Sequence, residues 1–242
     1  MKKKLIDAVN AQTGAHQSKW QDLLASGAVE LGINLDDSQM RLMEAFVKEL
    51  LDANQRFNLT RLTDPLEIAE SLILDSVYPG KFINDKTSVL DLGTGAGFPG
   101  IPLKIARPQL SFTLIDSRRR KISFLKFIIR QLGLEEITAD HVRAEDLAGG
   151  GARFGCVITR AVATLTDLIR LGFPLLGPEG VLIAMKGRGC REEIDILKKS
   201  KPIQCRDAVL DPVRLDIQMK SYQLPASGID RALIFVRVKR TG

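Results

Sequence analysis

Val89-Leu90-Asp91-Leu92-Gly93-Thr94-Gly95-Ala96-Gly97-Phe98-Pro99-Gly100 carries an apolar strand into an acidic residue and then into a turn with four glycines. Glycine takes positive φ without a Cβ clash and lets a ligand approach the main chain. A helix is expected next, because Pro102 suits a first helical turn and Leu103, Ile105 and Ala106 continue it. A strand, a glycine turn and a helix N-terminus form a nucleotide-type site, with backbone N–H groups facing the ligand.

Two glycine frames compete. Gly95-x-Gly97-x-x-Gly100 fits the dinucleotide fingerprint, with Asp116 as the acid about 20 residues on. Asp91-x-Gly93-x-Gly95-x-Gly97 instead puts a carboxylate at the strand tip, before the turn. That placement suits a ligand with an ammonium group beside its nucleoside, as S-adenosylmethionine has. A tight structural turn without a ligand is the third reading.

The surrounding chain narrows the choice. At 242 residues it holds one large domain, or one domain plus an extension. Cys156, Cys190 and Cys205 lack metal-ligand spacing, and His16 and His141 are the only histidines, so neither a metal site nor histidine acid–base chemistry is expected. No apolar run reaches membrane-spanning length. Met1-Lys2-Lys3-Lys4 resembles the start of a leader, but Asp7, Asn10, Gln12 and His16 break the apolar stretch that should follow, and a cytoplasmic location is expected. The net charge is +6, and Arg118-Arg119-Arg120-Lys121 is its densest run. Lys126 and Arg130 continue it, and Arg188, Arg191, Lys198, Lys199 and Lys201 lie further on. Such a run is either a solvated helix face or a rim for phosphates beside the ligand site.

Residues 1 to about 17 read as a frayed arm. A short helix is expected from Lys19 to Glu30. Asp37 or Ser38 can cap a second that carries Leu42, Met43, Phe46, Leu50 and Leu51. Asp64-Pro65 opens a third, with Ile68, Leu72, Ile73 and Val77, which stops before Pro79-Gly80. Residues 1–83 therefore read as a helical extension and 84–242 as the catalytic domain. In the latter, strands are expected at Ser88–Leu92, Phe112–Asp116, Ile137–Val142, Cys156–Thr159 and Val181–Lys186. Helices fit at Pro102–Ala106, Arg119–Leu132, Thr164–Leu176 (Asp167 completing a box-like cap) and near Arg191–Lys199. Alternation of this kind indicates a parallel sheet covered on both faces. Gln204–Leu210 and Ala232–Lys239 read as an antiparallel edge pair, which favours a methyltransferase over a dehydrogenase.

Ligands of open α/β sheets bind at the carboxyl ends of the strands. Asp116, ending the second strand, suits the two ribose hydroxyls, or else caps the following helix. Arg143-Ala144-Glu145-Asp146 follows the third strand, where a backbone amide and a carboxylate suit an adenine edge; an ordinary loop is the alternative. Phe98 is placed to pack on the ligand. Arg160 follows the fourth strand and can clamp a carboxylate or phosphate, or pair with Asp91 or Glu145. Lys186 sits at the tip of the fifth strand, as a positioning residue or a solvated turn lysine. No nucleophile set suggests covalent catalysis.

These residues resemble the glucose-inhibited division protein B family of small-subunit ribosomal RNA methyltransferases. The matching segments are Asn58-Leu59-Thr60, Leu74-Asp75-Ser76, Asp91 to Pro102, Leu114-Ile115-Asp116-Ser117, Thr159-Arg160-Ala161 and Lys186-Gly187. Together they span roughly residues 20–240. The resemblance implies a Rossmann-like class I fold, with a mostly parallel seven-stranded sheet and an antiparallel C-terminal edge. It also implies S-adenosylmethionine-dependent methylation of N7 of one guanine in 16S ribosomal RNA, with Gly93, Phe98, Ala144, Glu145 and Arg160 contacting the cofactor. Asp91, Gly95, Gly97 and Asp116 complete the expected cofactor set. Arg119, Arg120, Lys121, Arg160 and Lys186 are the candidates for holding RNA. Guanine N7 has no proton to remove, so no catalytic acid or base and no metal is assigned. A monomer acting on 16S RNA or the small ribosomal subunit is expected. Ala53, Leu72 and Thr159 depart from the family's Trp, His and Ser. Two other classes stay open at this point: a nicotinamide-dependent oxidoreductase, and a non-catalytic RNA-binding assembly factor.

Overall fold

Each strand of the sheet is a short apolar run broken by a turn, and the order in which the runs pair sets the position of the site. The computed structural model describes residues 19–160 and 163–239. The expected N-terminal arm, and Ala161 of the Thr159-Arg160-Ala161 segment, lie outside them. The main sheet contains β1 (Ser88–Leu92), β2 (Ser111–Ile115), β3 (Ile137–Asp140), β4 (Phe154–Thr159), β5 (Leu176–Lys186), β8 (Leu215–Gln223) and β9 (Asp230–Val238). Their order is β3-β2-β1-β4-β5-β9-β8. β1 to β5 are parallel, whereas β9 runs antiparallel to β5 and β8 antiparallel to β9. The order turns back between β1 and β4, so their carboxyl ends form the crevice where such sheets take ligands.

The antiparallel edge is present, but one of its strands is not where the sequence put it. Ile203–Gln204 (β6) and Val209–Leu210 (β7) form a separate two-stranded ribbon. The partner of β9 is β8, in which Leu215, Ile217 and Met219 alternate with Asp216, Gln218 and Lys220. An edge strand needs only one apolar face, so it shows alternation rather than an apolar run.

Helices cover both faces. α1 (residues 19–30), α2 (Asp37–Phe57), α5 (Gly100–Ala106) and α6 (Arg119–Gln131) lie on one side. α7 (Ala144–Gly149), α8 (Leu165–Gly172) and α9 (Cys190–Lys198) lie on the other. Trp20, Leu24, Met43 and Phe46 share one core with Val89, Phe98 and Ile101. The change near residue 83 is thus a change of secondary structure, not a gap in the packing.

Local signals decide the helix ends. Asp36 caps α2 one residue earlier than the sequence suggested: its Oδ1 accepts from Ser38 and Gln39 N–H at 2.8 Å each, and Gln39 Oε1 accepts from Asp36 N–H at 2.9 Å. Asp64 caps α3 (Pro65–Ile68) as expected. That helix then widens into a π-helical stretch, Ala69–Leu74, before α4 (Asp75–Val77). α8 stops at Gly172 rather than running to Leu176, because Pro174 sits in the 3-10 turn that follows and Leu176 already opens β5.

Candidate active site

The glycine turn is fastened to the end of β2, since Gly93 and Thr94 N–H both donate to Ile115 O at 3.0 Å. Gly93 has φ +74°, and a Cβ there would meet nothing within 4 Å, so its main chain faces open space. Asp91 is fully buried; its Oδ2 accepts from Gly100 N–H at 2.8 Å, at the first residue of α5. Burial pushes the Asp91 carboxyl up to about 7, against the opposing pull of Thr94 and the Gly100 amide. Gly100 is required by packing: a Cβ would run into Leu114 and stand 2.7 Å from Asp91 Oδ2. Gly100→Ala is therefore expected to cost about 1–3 kcal/mol of stability, read as a lower urea midpoint.

Asp91 Oδ1, Thr94 Oγ1 and Thr159 Oγ1 are the buried side-chain oxygens without a hydrogen-bond partner among the described residues. All three stand at the carboxyl ends of β1 and β4, at the switch point, with Asp91 in register with Ile158. Buried oxygens of this kind are normally satisfied by an ordered water, an ion or a ligand, or by one another after a small shift, as Thr94 and Asp91 can do.

Asp116 closes the neighbouring side. Its Oδ2 accepts from Gly95 N–H at 3.0 Å and its Oδ1 from Arg118 N–H at 2.8 Å. A carboxylate has about four acceptor positions, so capacity for a ribose remains. A cavity of about 240 Å³ is lined by Gly93, Asp116, Val142, Arg143, Ala144 and Glu145, among others. It lies near the lower bound, about 300 Å³, of small-molecule sites, and it suits the nucleoside end of a ligand that continues over Gly93. A larger cavity of about 900 Å³ opens at the opposite end of the sheet, between Arg153, Phe173 and Arg237, away from every group just described.

Several candidate residues stand elsewhere than expected. Lys121, assigned to RNA, has its Nζ 3.7 Å from Asp116 Oδ2 and leans over the glycine turn near Gly95. Arg119 and Arg120 are exposed at the start of α6 and free of this constraint. Phe98 turns into the core, 7% exposed, with its ring 5.4 Å from that of Phe46, so it backs the turn instead of forming an open wall. Lys186 is neither a solvated lysine nor open to RNA: its Nζ donates to Ala163 O at 2.7 Å and to Glu193 Oε2 at 2.8 Å. Ala144 is buried and Glu145 exposed at the start of α7, the short helix the sequence reading took for a loop.

Arg160 reaches the tip of β4 as expected, but its partner is neither Asp91 nor Glu145. Its Nε lies 3.1 Å from Asp75 Oδ2, and its Nη2 donates to Ser71 O at 2.5 Å. The π-helical stretch sets this up: Asp75 N–H reaches back to Glu70 O, and Ser71 O faces the guanidinium. Asp75 Oδ1 meanwhile accepts from Tyr222 OH at 2.6 Å and lies 3.5 Å from Arg231 Nε. Burial, with Asp75 alongside, pushes the Tyr222 hydroxyl far above its ordinary value. Glu70, one residue before Ser71, takes the Ala226 and Ser227 N–H groups at 2.7 Å each. Tyr222, Arg231 and the central place of Asp75 were not apparent from the sequence; an aspartate directly after the apolar triplet Leu72-Ile73-Leu74 was the available signal.

A parallel β3-β2-β1-β4-β5 sheet closed by an antiparallel pair, with a glycine turn after β1 and an acid after β2, is the class I S-adenosylmethionine-dependent methyltransferase fold. Two solved structures share it: ribosomal protein L11 methylase from Lactobacillus delbrueckii subsp. bulgaricus (TM-score 0.51, 15% identity, covering 70% of this chain and 79% of that one) and P. horikoshii TYW2 in complex with MeSAdo (TM-score 0.51, 12% identity, covering 71% and 64%). The chain belongs to the rRNA small subunit methyltransferase G family, whose profile matches residues 39–211. It is 37% identical to the ribosomal RNA small subunit methyltransferase G of Geobacter sp. (strain M21) over 218 residues, covering 89% of this chain and 96% of that protein. It is 36% identical to the protein of the same name from Pelotomaculum thermopropionicum, covering 89% of each. Among the described residues, no helix is long and apolar enough to cross a membrane, and no cluster of His, Cys, Asp and Glu is arranged to hold a metal ion.

Proposed function

We propose that this chain transfers the methyl group of S-adenosylmethionine to N7 of a guanine in 16S ribosomal RNA, as a cytoplasmic monomer acting on the RNA or on the small ribosomal subunit. The observation that carries the reading is the fully buried Asp91 carboxylate, whose Oδ1 has no partner while Oδ2 accepts from Gly100, beside a cavity of nucleoside size. Bound S-adenosylmethionine supplies an electrophilic methyl group on a sulfonium. The residues fit such a ligand. Asp91 offers a counter-charge for its ammonium, Asp116 accepts from its ribose, and the start of α7 at Ala144 and Glu145 edges its base. Gly93 lets it approach the main chain. Arg160, fixed by Asp75, presents a positive charge at the tip of β4, where the acceptor is expected.

N7 is a lone-pair acceptor, so the protein moves no proton and its contribution is placement. Well-oriented reactants gain on the order of 7–11 kcal/mol from placement alone. The major-groove edge of A-form RNA is deep and narrow, so the guanine must be unpaired or drawn from its stack. Arg119 and Arg120 at the start of α6 supply exposed positive charge for the backbone around it.

The test is incubation with labelled S-adenosylmethionine and small-subunit RNA or particles lacking the modification, followed by nucleoside analysis. Labelled 7-methylguanosine is expected. Label in another nucleoside would overturn the N7 assignment, and thermal stabilisation by NAD but not by S-adenosylhomocysteine would overturn the cofactor.

A further inference from the structure

α2 ends on an exposed aromatic ring, Phe57. The helix runs toward the carboxyl end of the sheet. Near its start, Gln39 Nε2 donates to Ile105 O and Ala106 O at 3.0 and 3.2 Å, at the far end of α5. Midway, Phe46 packs on Phe98, just before α5 begins. Phe57 lies three turns further on, roughly 16 Å at 1.5 Å per residue. It therefore stands beyond the carboxyl end of the sheet, the end at which the candidate site opens, on the face covered by α5 and α6.

Phe57 is 50% exposed, although Leu59 two residues later is buried in the core. Fraying does not explain this, because the chain is fixed on both sides of it. Asn58 takes the left-handed conformation (φ 48°), and its N–H donates to Asn54 O at 3.1 Å. The buried Asn54 side chain accepts from Thr60 N–H at 2.9 Å, and Thr60 Oγ1 accepts from Leu62 N–H at 3.2 Å. The ring is thus held out on an ordered loop. Arg56 and Arg61 flank it in the chain, and both are exposed. A lone ring between two guanidinium-bearing residues is a poor apolar dock for a protein. It matches the combination that single-stranded RNA asks for, an aromatic face for a base and positive charge for its phosphates.

We propose that Phe57 is a stacking platform for an unpaired base of the RNA substrate, with Arg56 and Arg61 contacting the adjoining phosphates. The proposal rests on the reading of RNA as substrate and adds the element that grips it. Phe57→Ala in the full chain is expected to raise the KM for RNA at least about fivefold. The Kd for S-adenosylhomocysteine and the melting temperature should stay unchanged. Phe57→Trp should restore the KM, whereas Phe57→Leu should behave as alanine does. Arg56→Ala and Arg61→Ala should each lower the salt dependence of RNA binding by about one unit of log–log slope.

An RNA KM within twofold of wild type for Phe57→Ala would overturn the platform, as would full rescue by leucine. So would a defect seen on assembled subunits but not on naked RNA, which would assign the ring to a ribosomal protein. Wild-type protein that methylates no RNA would instead count against the functional reading. In that case anisotropy with a fluorescent single-stranded RNA, wild type against Phe57→Ala, still decides the platform.

Discussion

Asp75→Ala is expected to destabilise the protein by about 3 kcal/mol and to remove nearly all methyl transfer. One buried carboxylate holds Arg160, Arg231 and Tyr222 together, and it ties the helices before β1 to the β8–β9 hairpin and to the tip of β4. Removing one partner of a buried ion pair typically costs about 3–5 kcal/mol. The lower end applies here, because the two guanidiniums are 24% and 21% exposed and water can reach them once the carboxylate is gone. Urea unfolding gives the stability change, and Tyr222→Phe provides the scale, with an expected loss of about 1.5–3 kcal/mol for one hydrogen bond to a charged group. Stability and activity separate in Asp75→Asn. The amide keeps the volume and an acceptor for Tyr222 but loses the charge that orients Arg160. Transfer should fall at least about tenfold in a chain that is still folded at the assay temperature. Wild-type transfer by a folded Asp75→Asn protein would mean that Arg160 needs no orientation from the N-terminal helices.

The Asp75 cluster also shows where reading the chain residue by residue stops. The glycine segment, Asp116 and Arg160 were legible because each belongs to a local pattern, a strand followed by its tip. Tyr222 and Arg231 were not, since their relation to Asp75 exists only after the hairpin returns across the sheet. The π-helical stretch that turns Ser71 O toward Arg160 leaves no mark in apolar periodicity. β8 hid for a different reason: its exposed face carries Asp216, Gln218 and Lys220, so the apolar run expected of a strand is absent. Charge was the least reliable guide. Lys121 and Lys186 read as candidates for holding RNA, yet the fold commits both to nearby carboxylates, Asp116 and Glu193. Phe98 was correctly placed in the turn, but its side was decided by Phe46, a residue on a helix far upstream.

Asp91 sets the second large effect, which depends on pH. In the unfolded chain its carboxyl titrates near its ordinary 3.8, and in the folded chain burial raises it to about 7. Between those values the folded protein keeps a proton that the unfolded chain has lost. The stability it contributes is therefore fully present below about pH 4 and is lost as the pH rises through 7. The difference corresponds to roughly 4 kcal/mol against the ionised form. Asp116 adds slightly to the rise, and Lys121, already engaged with Asp116, leaves Asp91 without a cation of its own among the described residues. A ligand ammonium would reverse the balance and draw the proton off. Calorimetry with S-adenosylhomocysteine, which retains that ammonium, is expected to show affinity falling roughly tenfold from pH 7.5 to pH 6, with close to one proton released per ligand at the lower pH. Asp91→Asn should unfold with a flatter pH profile than wild type and be the more stable of the two at pH 8. It should also bind the ligand weakly and independently of pH in this range. Tight binding by Asp91→Asn, or a flat wild-type profile without proton release, would show that the buried carboxylate is held for the Gly100 amide alone and never meets the cofactor.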